Sequence, residues 1–231
     1  MHIAVLVANT DESDFAQAHP KDGAKFASLL QGLRPEWRMS SFSVKDGEFP
    51  ADAARFDGWI ITGSPASVHD SDAWVRRLLG LIRQIVARGE PLFGACFGHQ
   101  AIAVALGGLV GDNPGGWVFG AVDTVMEGAQ MRLYAAHREQ VLAVPEEAVV
   151  LGGNADCAVG SFAIGRSVLT TQYHPEMTQG FMTALVAEYA DKLPAEVAAR
   201  ARASLAVASD LDVIAARMVR FFEEAAVEPL L

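Results

Sequence analysis

Short apolar runs alternate along this chain with longer segments whose apolar residues recur every three or four positions, and that alternation limits the fold more than any other feature. "HIAVLVA" (2–8), "FDGWIIT" (56–62) and "PLFGA" (91–95) read as buried strands. "KDGAKFASLLQGL" (21–33) and "SDAWVRRLLGLIRQIVARGE" (71–90) read as helices, the second with Ser71 at its N-cap and Gly89 where it stops. "EWRMSSFSV" (36–44) alternates as a further strand, and "GHQAIAVALGG" (98–108) is a helix closing on Gly-Gly. Strands separated by helices predict an α/β fold around a largely parallel sheet.

From about 109 to 173 the period shortens to strands and turns, which predicts a mixed edge of the same sheet together with hairpins. Beyond 177 the sequence is helical. Leu211, Ile214, Ala215, Met218, Val219 and Phe222 follow the spacing of one apolar helix face. No repeat, low-complexity linker or domain boundary interrupts the 231 residues, so the expectation is one domain, 1–231, with a core over 1–190 and a helical extension over 191–231.

A formal charge of −10 argues against nucleic acid or an anionic membrane surface as main partner. No apolar stretch reaches the roughly 18 residues needed to cross a bilayer. Two cysteines cannot build a disulfide framework, and no leader precedes the first strand-like run, so a reducing cytoplasm is the expected compartment.

One of those cysteines stands in "FGACFG" (93–98), a G-x-C-x-G segment between a predicted strand and a predicted helix. That is the form of a nucleophile elbow with cysteine in place of serine. The flanking glycines leave room for a strained turn, and the helix that follows aims its amides and positive dipole end at the thiol, favouring thiolate. The amide of Phe97 is placed to donate to an oxyanion. Plain packing at a strand end is the alternative reading of Cys96.

A cysteine nucleophile needs a base, and the base needs an orienting group. His2 lies in the first strand, His19 in an early loop, His69 beside Asp70, and His137 in an expected turn before Arg138. His99, three residues past Cys96, is readable as a metal ligand, but no second ligand pair at zinc-site spacing accompanies it. His174 ends a strand-like run in "LTTQYHPEMTQ", with Pro175 fixing the chain and Glu176 two residues on. A carboxylate on one ring nitrogen would leave the other for the thiol. A strand-end histidine beside a solvated glutamate is the alternative. In "WIITGSPASVHD", Gly63 follows an apolar strand and could turn a second amide toward the same sheet edge; an ordinary turn reads equally well from that segment alone. Cys157, on a strand-like stretch in "ADCAVGSFAIG", reads as packing, and the glycine-rich "GGLVGDNPGG" lacks the context of a dinucleotide site.

Taken together, "ITGSPASVHD" (61–70), "GACFGHQAIAVALGG" (94–108), "GGWVFG" (115–120) and "TQYHPE" (171–176) make the chain resemble the class I glutamine amidotransferases, over roughly residues 1–190. It is most similar to stand-alone members akin to the amidotransferase part of GMP synthase. The resemblance implies a three-layer, flavodoxin-like α/β fold with a mostly parallel sheet flanked by helices and extra C-terminal helices. It implies Cys96 as nucleophile, His174 as base and acid, Glu176 as its orienter, and the amides of Gly63 and Phe97 as oxyanion donors. Gln100 and the loop holding His137 match positions that meet the substrate. Ala136 stands where Asn or Ser is often found, removing one polar contact that would enforce glutamine.

The implied reaction releases ammonia from glutamine through a γ-glutamyl thioester, with no metal or organic cofactor. The implied partners are glutamine or a γ-glutamyl small molecule, and a separate ammonia-accepting synthetase. The C-terminal helix leaves docking of a partner or a second copy open. The competing readings are a γ-glutamyl peptide or compound hydrolase with no acceptor, a non-catalytic or regulatory domain on the same scaffold, and the related flavodoxin-like cysteine proteases and chaperones, whose signature lacks a downstream His-Pro-Glu.

Overall fold

The computed structural model describes residues 1–51 and 56–227; positions 228–231 of the expected helical extension lie outside the described residues. In chain order the first half forms β1 (His2–Val7), a four-residue helix α1 (Asp14–Gln17), α2 (Asp22–Gln31), β2 (Arg38–Ser43), β3 (Gly58–Ile61), α3 (Ala73–Ala87), β4 (Leu92–Ala95) and α4 (Phe97–Ala105). Six further strands follow: β5 (Leu109–Asp112), β6 (Val118–Met126), β7 (Ala129–His137), β8 (Glu139–Ala143), β9 (Ala148–Gly152) and β10 (Ser161–Ile164). Then come β11 (Val168–Thr171), α5 (Gln179–Tyr189), α6 (Ala195–Ser204) and α7 (Leu211–Val227).

Seven strands form one sheet in the order β2–β1–β3–β4–β11–β10–β9. The first five run parallel, and β10 is antiparallel to both of its neighbours. Period-two alternation sends successive side chains to opposite faces. Ala4, Leu6, Trp59, Ile61 and Leu92 pack with Leu78, Ile82 and Ile85 of α3 and Ala101 and Ile102 of α4. Ile3, Val5, Ile60 and Phe93 face the other way, onto Phe26 and Leu30 of α2 and onto α7. The result is a three-layer α/β fold with a mostly parallel central sheet, as the alternation in the sequence predicts.

The long β6–β7 ribbon fills a place the sequence did not mark. Val118, Met131, Leu133 and Ala135 lie on the sheet-facing core, while Phe119, Ala121 and Tyr134 pack on α5 and α6. The expected mixed edge is present as β9 and β10, while β5 pairs with β8 and β6 with β7 as separate two-stranded ribbons. The apolar face of α7 matches its predicted spacing: Ile214, Ala215, Met218, Val219 and Phe222 are buried.

Two local expectations are corrected. The N-cap of α3 is Asp72 rather than Ser71, and it makes no side-chain capping hydrogen bond; Ser71 instead accepts a hydrogen bond from Arg76 through its carbonyl. Cys157 lies in the loop between β9 and β10, not on a strand, although it is fully buried as expected of packing. Gly89 does end α3, with φ +67° just beyond the Arg88 C-cap.

Gly98, in the first turn of α4, packs directly on β3. A Cβ there would collide with the Ile61 carbonyl oxygen, a main-chain atom that cannot swing away. Gly98→Ala is therefore expected to lower unfolding free energy by about 1–3 kcal/mol, the usual cost of overpacking a filled core, measurable as a shift in denaturant midpoint at constant slope.

Candidate active site

Strands β3, β4 and β11 are adjacent and parallel, with Ile61 opposite Gly94 and Ala95 opposite Thr171. The residues that follow them therefore leave the same edge of the sheet side by side: Gly63 after β3, Cys96 after β4 and His174 after β11. This is the carboxyl edge, where α/β sheets place their ligands. Separation along the chain is thus removed by strand order.

Cys96 occupies the turn between β4 and α4 at φ +48° and ψ −104°, a conformation that side chains other than glycine rarely adopt. Its amide donates to the Thr171 carbonyl at 2.9 Å, and its carbonyl accepts from Gln100 N at 3.1 Å. These bonds on either side hold the turn. The Phe97 ring points into the core against Trp74, with centroids 5.6 Å apart, so the cleft can receive only its main-chain amide. As the first residue of α4, Phe97 has no carbonyl one turn back to pair with.

His174 is buried, and its Nδ1 lies 2.8 Å from Glu176 Oε1. Its amide donates to the Tyr134 carbonyl of β7 at 2.9 Å, tying the His-Pro-Glu segment to the ribbon. The other ring nitrogen, Nε2, is buried without a hydrogen-bond partner. Burial is the largest influence on this imidazole and works against its charge, but the Glu176 carboxylate and then the Cys96 sulfur outweigh it. Together they hold the His174 pKa well above the ordinary value.

Gly63 packs directly on this ring. A Cβ at position 63 would sit 2.8 Å from His174 Cε1 and 3.6 Å from Cys96 Cβ, so all three residues border one small space. Gly63→Ala is expected to displace the imidazole and lower any reaction that depends on it by about 100-fold, the scale of an ångström-sized misplacement, with thermal stability little changed. Steady-state kinetics beside a melting curve checks this.

The two other candidates border the same cleft. Gln100 donates through Nε2 to the Glu139 carbonyl at 2.8 Å and to Gln172 Oε1 at 3.2 Å. His137 is the last residue of β7 rather than part of a turn; the bend falls on Arg138. Its Nδ1 is 3.1 Å from the Glu139 carbonyl, which can only accept, so Nδ1 carries the hydrogen and the buried Nε2 presents a lone pair. Burial, the largest influence, pushes the His137 pKa down to about 4, with the nearby His174 adding to the effect, so the ring is neutral at neutral pH.

The remaining chemistry-bearing residues sit elsewhere. His99 is fully buried, bonded through Nδ1 to Thr170 Oγ1 at 2.8 Å, and pushed down to about 3 by burial, which suits a packing role. Burial pushes the Cys157 thiol up to about 12.

A cleft of about 740 Å³ opens over this edge, lined by Gly63, Cys96, Gln100, His137, His174 and Glu176. It also continues over the ends of β1 and β2, along residues 9–25 and 41–48, a wing that no sequence motif announced. Gln172, which holds Gln100 from inside the core, was likewise missed. Its position just before Tyr-His-Pro-Glu was the available signal.

Residues 36–189 match the family model for Glutamine amidotransferase class-I. Gamma-glutamyl peptidase 4 of Arabidopsis thaliana is 30% identical over 195 residues, covering 77% of each chain. GMP synthase [glutamine-hydrolyzing] of Streptomyces coelicolor is 30% identical over 169 residues, covering 67% of this chain and 31% of that protein. Among solved structures, a glutamine amidotransferase from Thermotoga maritima superposes with a TM-score of 0.77 over 98% of both chains at 16% identity, a likeness of fold. The chain belongs to the class I glutamine amidotransferase family.

Among the described residues no helix is long and apolar enough to cross a membrane.

Proposed function

We propose that the chain is a hydrolase of γ-glutamyl amides that works through a cysteine thioester. Cys96 Sγ attacks the γ-carbonyl, the C–N bond breaks, and the amine departs with a proton from His174. Water, deprotonated by the same imidazole, then cleaves the thioester to free glutamate and the thiol. Glu176 holds the ring in the tautomer this requires, and the amides of Gly63 and Phe97 receive the oxyanion. The observation that carries the reading is the His174–Glu176 pair at 2.8 Å, with its second nitrogen unpartnered beside a thiol on a strained turn.

Gln100 and neutral His137, both hydrogen-bonded to the Glu139 carbonyl, suit with Glu139 the amino-acid end of the γ-glutamyl group. The His137 lone pair would accept from its α-ammonium. Glutamine, with ammonia leaving to a separate synthetase, is one form of this reading. A γ-glutamyl peptide or conjugate with a larger amine is the other, and the extent of the cleft beyond Cys96 favours it.

Incubation with glutamine and with γ-glutamyl amides, quenched in acid and digested, is expected to give free glutamate and a γ-glutamyl adduct on the peptide containing Cys96. Release of glutamate without that adduct, or no turnover of any such amide, overturns the reading.

A further inference from the structure

We infer that the wing of the cleft over the ends of β1 and β2 receives the departing amine, and that this amine has an aromatic or apolar body and no carboxylate of its own. The inference rests on the thioester reading above and specifies its substrate.

Position assigns the wing its half of the substrate. Gln100 reaches Glu139 and Gln172, the residue just past β11, whereas the wing lies over β1 and β2, on the opposite side of β4 and Cys96 in the sheet order. An amide held with its γ-carbonyl at Cys96 and its amino-acid end toward Gln100 projects its nitrogen substituent into the wing. A cavity of about 740 Å³ falls within the range of about 300–1,000 Å³ that encloses a drug-sized ligand, so there is room for much more than ammonia.

The lining sets the chemistry. Phe15 and Phe181, with centroids 5.8 Å apart, border the wing, and the His19 ring lies against both at 4.6 and 5.1 Å. The two phenylalanine rings are the outer fringe of the core between the β6–β7 ribbon and α5, left open where the cleft meets it. They offer planar apolar surface for a ring or alkyl body.

The charges in the wing disfavour an anion. The carboxylates of Asp11, Glu12, Asp22, Asp46 and Glu48 outnumber the ammonium groups of Lys21, Lys25 and Lys45. Lys25 pairs with Asp22 at 2.9 Å and sits over the Phe181 ring, and Lys45 pairs with Glu12 at 2.6 Å and with Asp46 at 3.0 Å, so these charges largely cancel and the excess rests on Asp11 and Glu48 against Lys21. A peptide leaving group would bring its terminal carboxylate into this field, whereas a simple amine brings none.

Steady-state kinetics with γ-glutamyltyramine, γ-glutamyltyrosine and glutamine tests the inference, because tyramine and tyrosine share a ring and differ by one carboxylate. The expected kcat/KM for γ-glutamyltyramine exceeds that for γ-glutamyltyrosine by about tenfold or more, a difference that shrinks at high salt as like-charge repulsion is screened, and it also exceeds that for glutamine. Phe15→Ala, on a helix with no buried residue, is expected to raise KM for γ-glutamyltyramine while leaving glutamine kinetics unchanged. Glu48→Lys is expected to narrow the tyramine-to-tyrosine ratio. Equal or reversed preference, with Cys96-dependent turnover intact, overturns this inference and leaves the thioester reading standing. Failure of all three compounds overturns both.

Discussion

Cys96→Ala is expected to lower kcat/KM for γ-glutamyl amide cleavage by about 10⁴-fold or more, the scale on which removal of a triad nucleophile acts, and to abolish the acyl adduct. Cys96→Gly is expected to be equally inactive but more stable than the alanine variant. The two differ because position 96 is held at φ +48° and ψ −104°. A Cβ there costs about 1–3 kcal/mol, and alanine keeps that Cβ while glycine removes it. Glycine in turn loses about 0.4–1 kcal/mol through the greater freedom of its unfolded chain. The net difference is about 1 kcal/mol in favour of glycine, read as a higher denaturant midpoint. Equal midpoints would mean that the turn is relaxed, and the strained presentation of the thiol would have to be abandoned.

That strain is the part of the site that local sequence announced most directly. Glycines two residues to either side of a cysteine, between an apolar run and a helical period, have few packing uses, so "FGACFG" stood out. Strand assignments were equally legible, since Ile3 to Leu6 and Trp59 to Ile61 are apolar at every position, and both faces of the sheet turn out to be covered. What stayed hidden depends on strand order. That β11 lies between β4 and β10, and so delivers His174 beside Cys96, follows from no residue in "LTTQYHPE" by itself. The tie between His174 N and the Tyr134 carbonyl depends on a ribbon packed beneath the sheet, whose pattern reads merely as a hairpin. His137 was expected in a turn because Arg138 and Glu139 are polar. The nine-pair β6–β7 register instead carries the strand through His137, and the bend comes one residue later. The wing over β1 and β2 is assembled from segments with ordinary loop and helix-start composition, so only their arrangement marks it.

Glu176→Gln is expected to lower kcat/KM at neutral pH by about 10⁴-fold, as loss of the orienting carboxylate does in the serine-protease triad, and to reverse the slope of its pH dependence. In the wild type the pKa of His174 is raised, so the imidazole keeps its proton through neutral pH and loses it only as pH rises through that elevated value. Activity that needs the imidazolium to protonate a departing amine therefore falls on the alkaline side. Without the carboxylate charge, burial, already the largest influence on the ring, is opposed chiefly by the Cys96 sulfur alone and moves the pKa downward. Glutamine at 176 can also donate its amide N–H to Nδ1, which places the imidazole proton on Nε2 and leaves nothing to accept the thiol proton. The variant then depends on attack by the thiol without an acceptor for its proton, a reaction that hydroxide in solution assists increasingly as pH rises. Its kcat/KM should rise where the wild type's falls. Profiles that remain parallel, displaced only in height, would show that Glu176 supports the chain without setting the charge of His174. Glu176→Asp, which keeps the charge at a longer reach, is expected to restore the direction of the wild-type slope before it restores the rate.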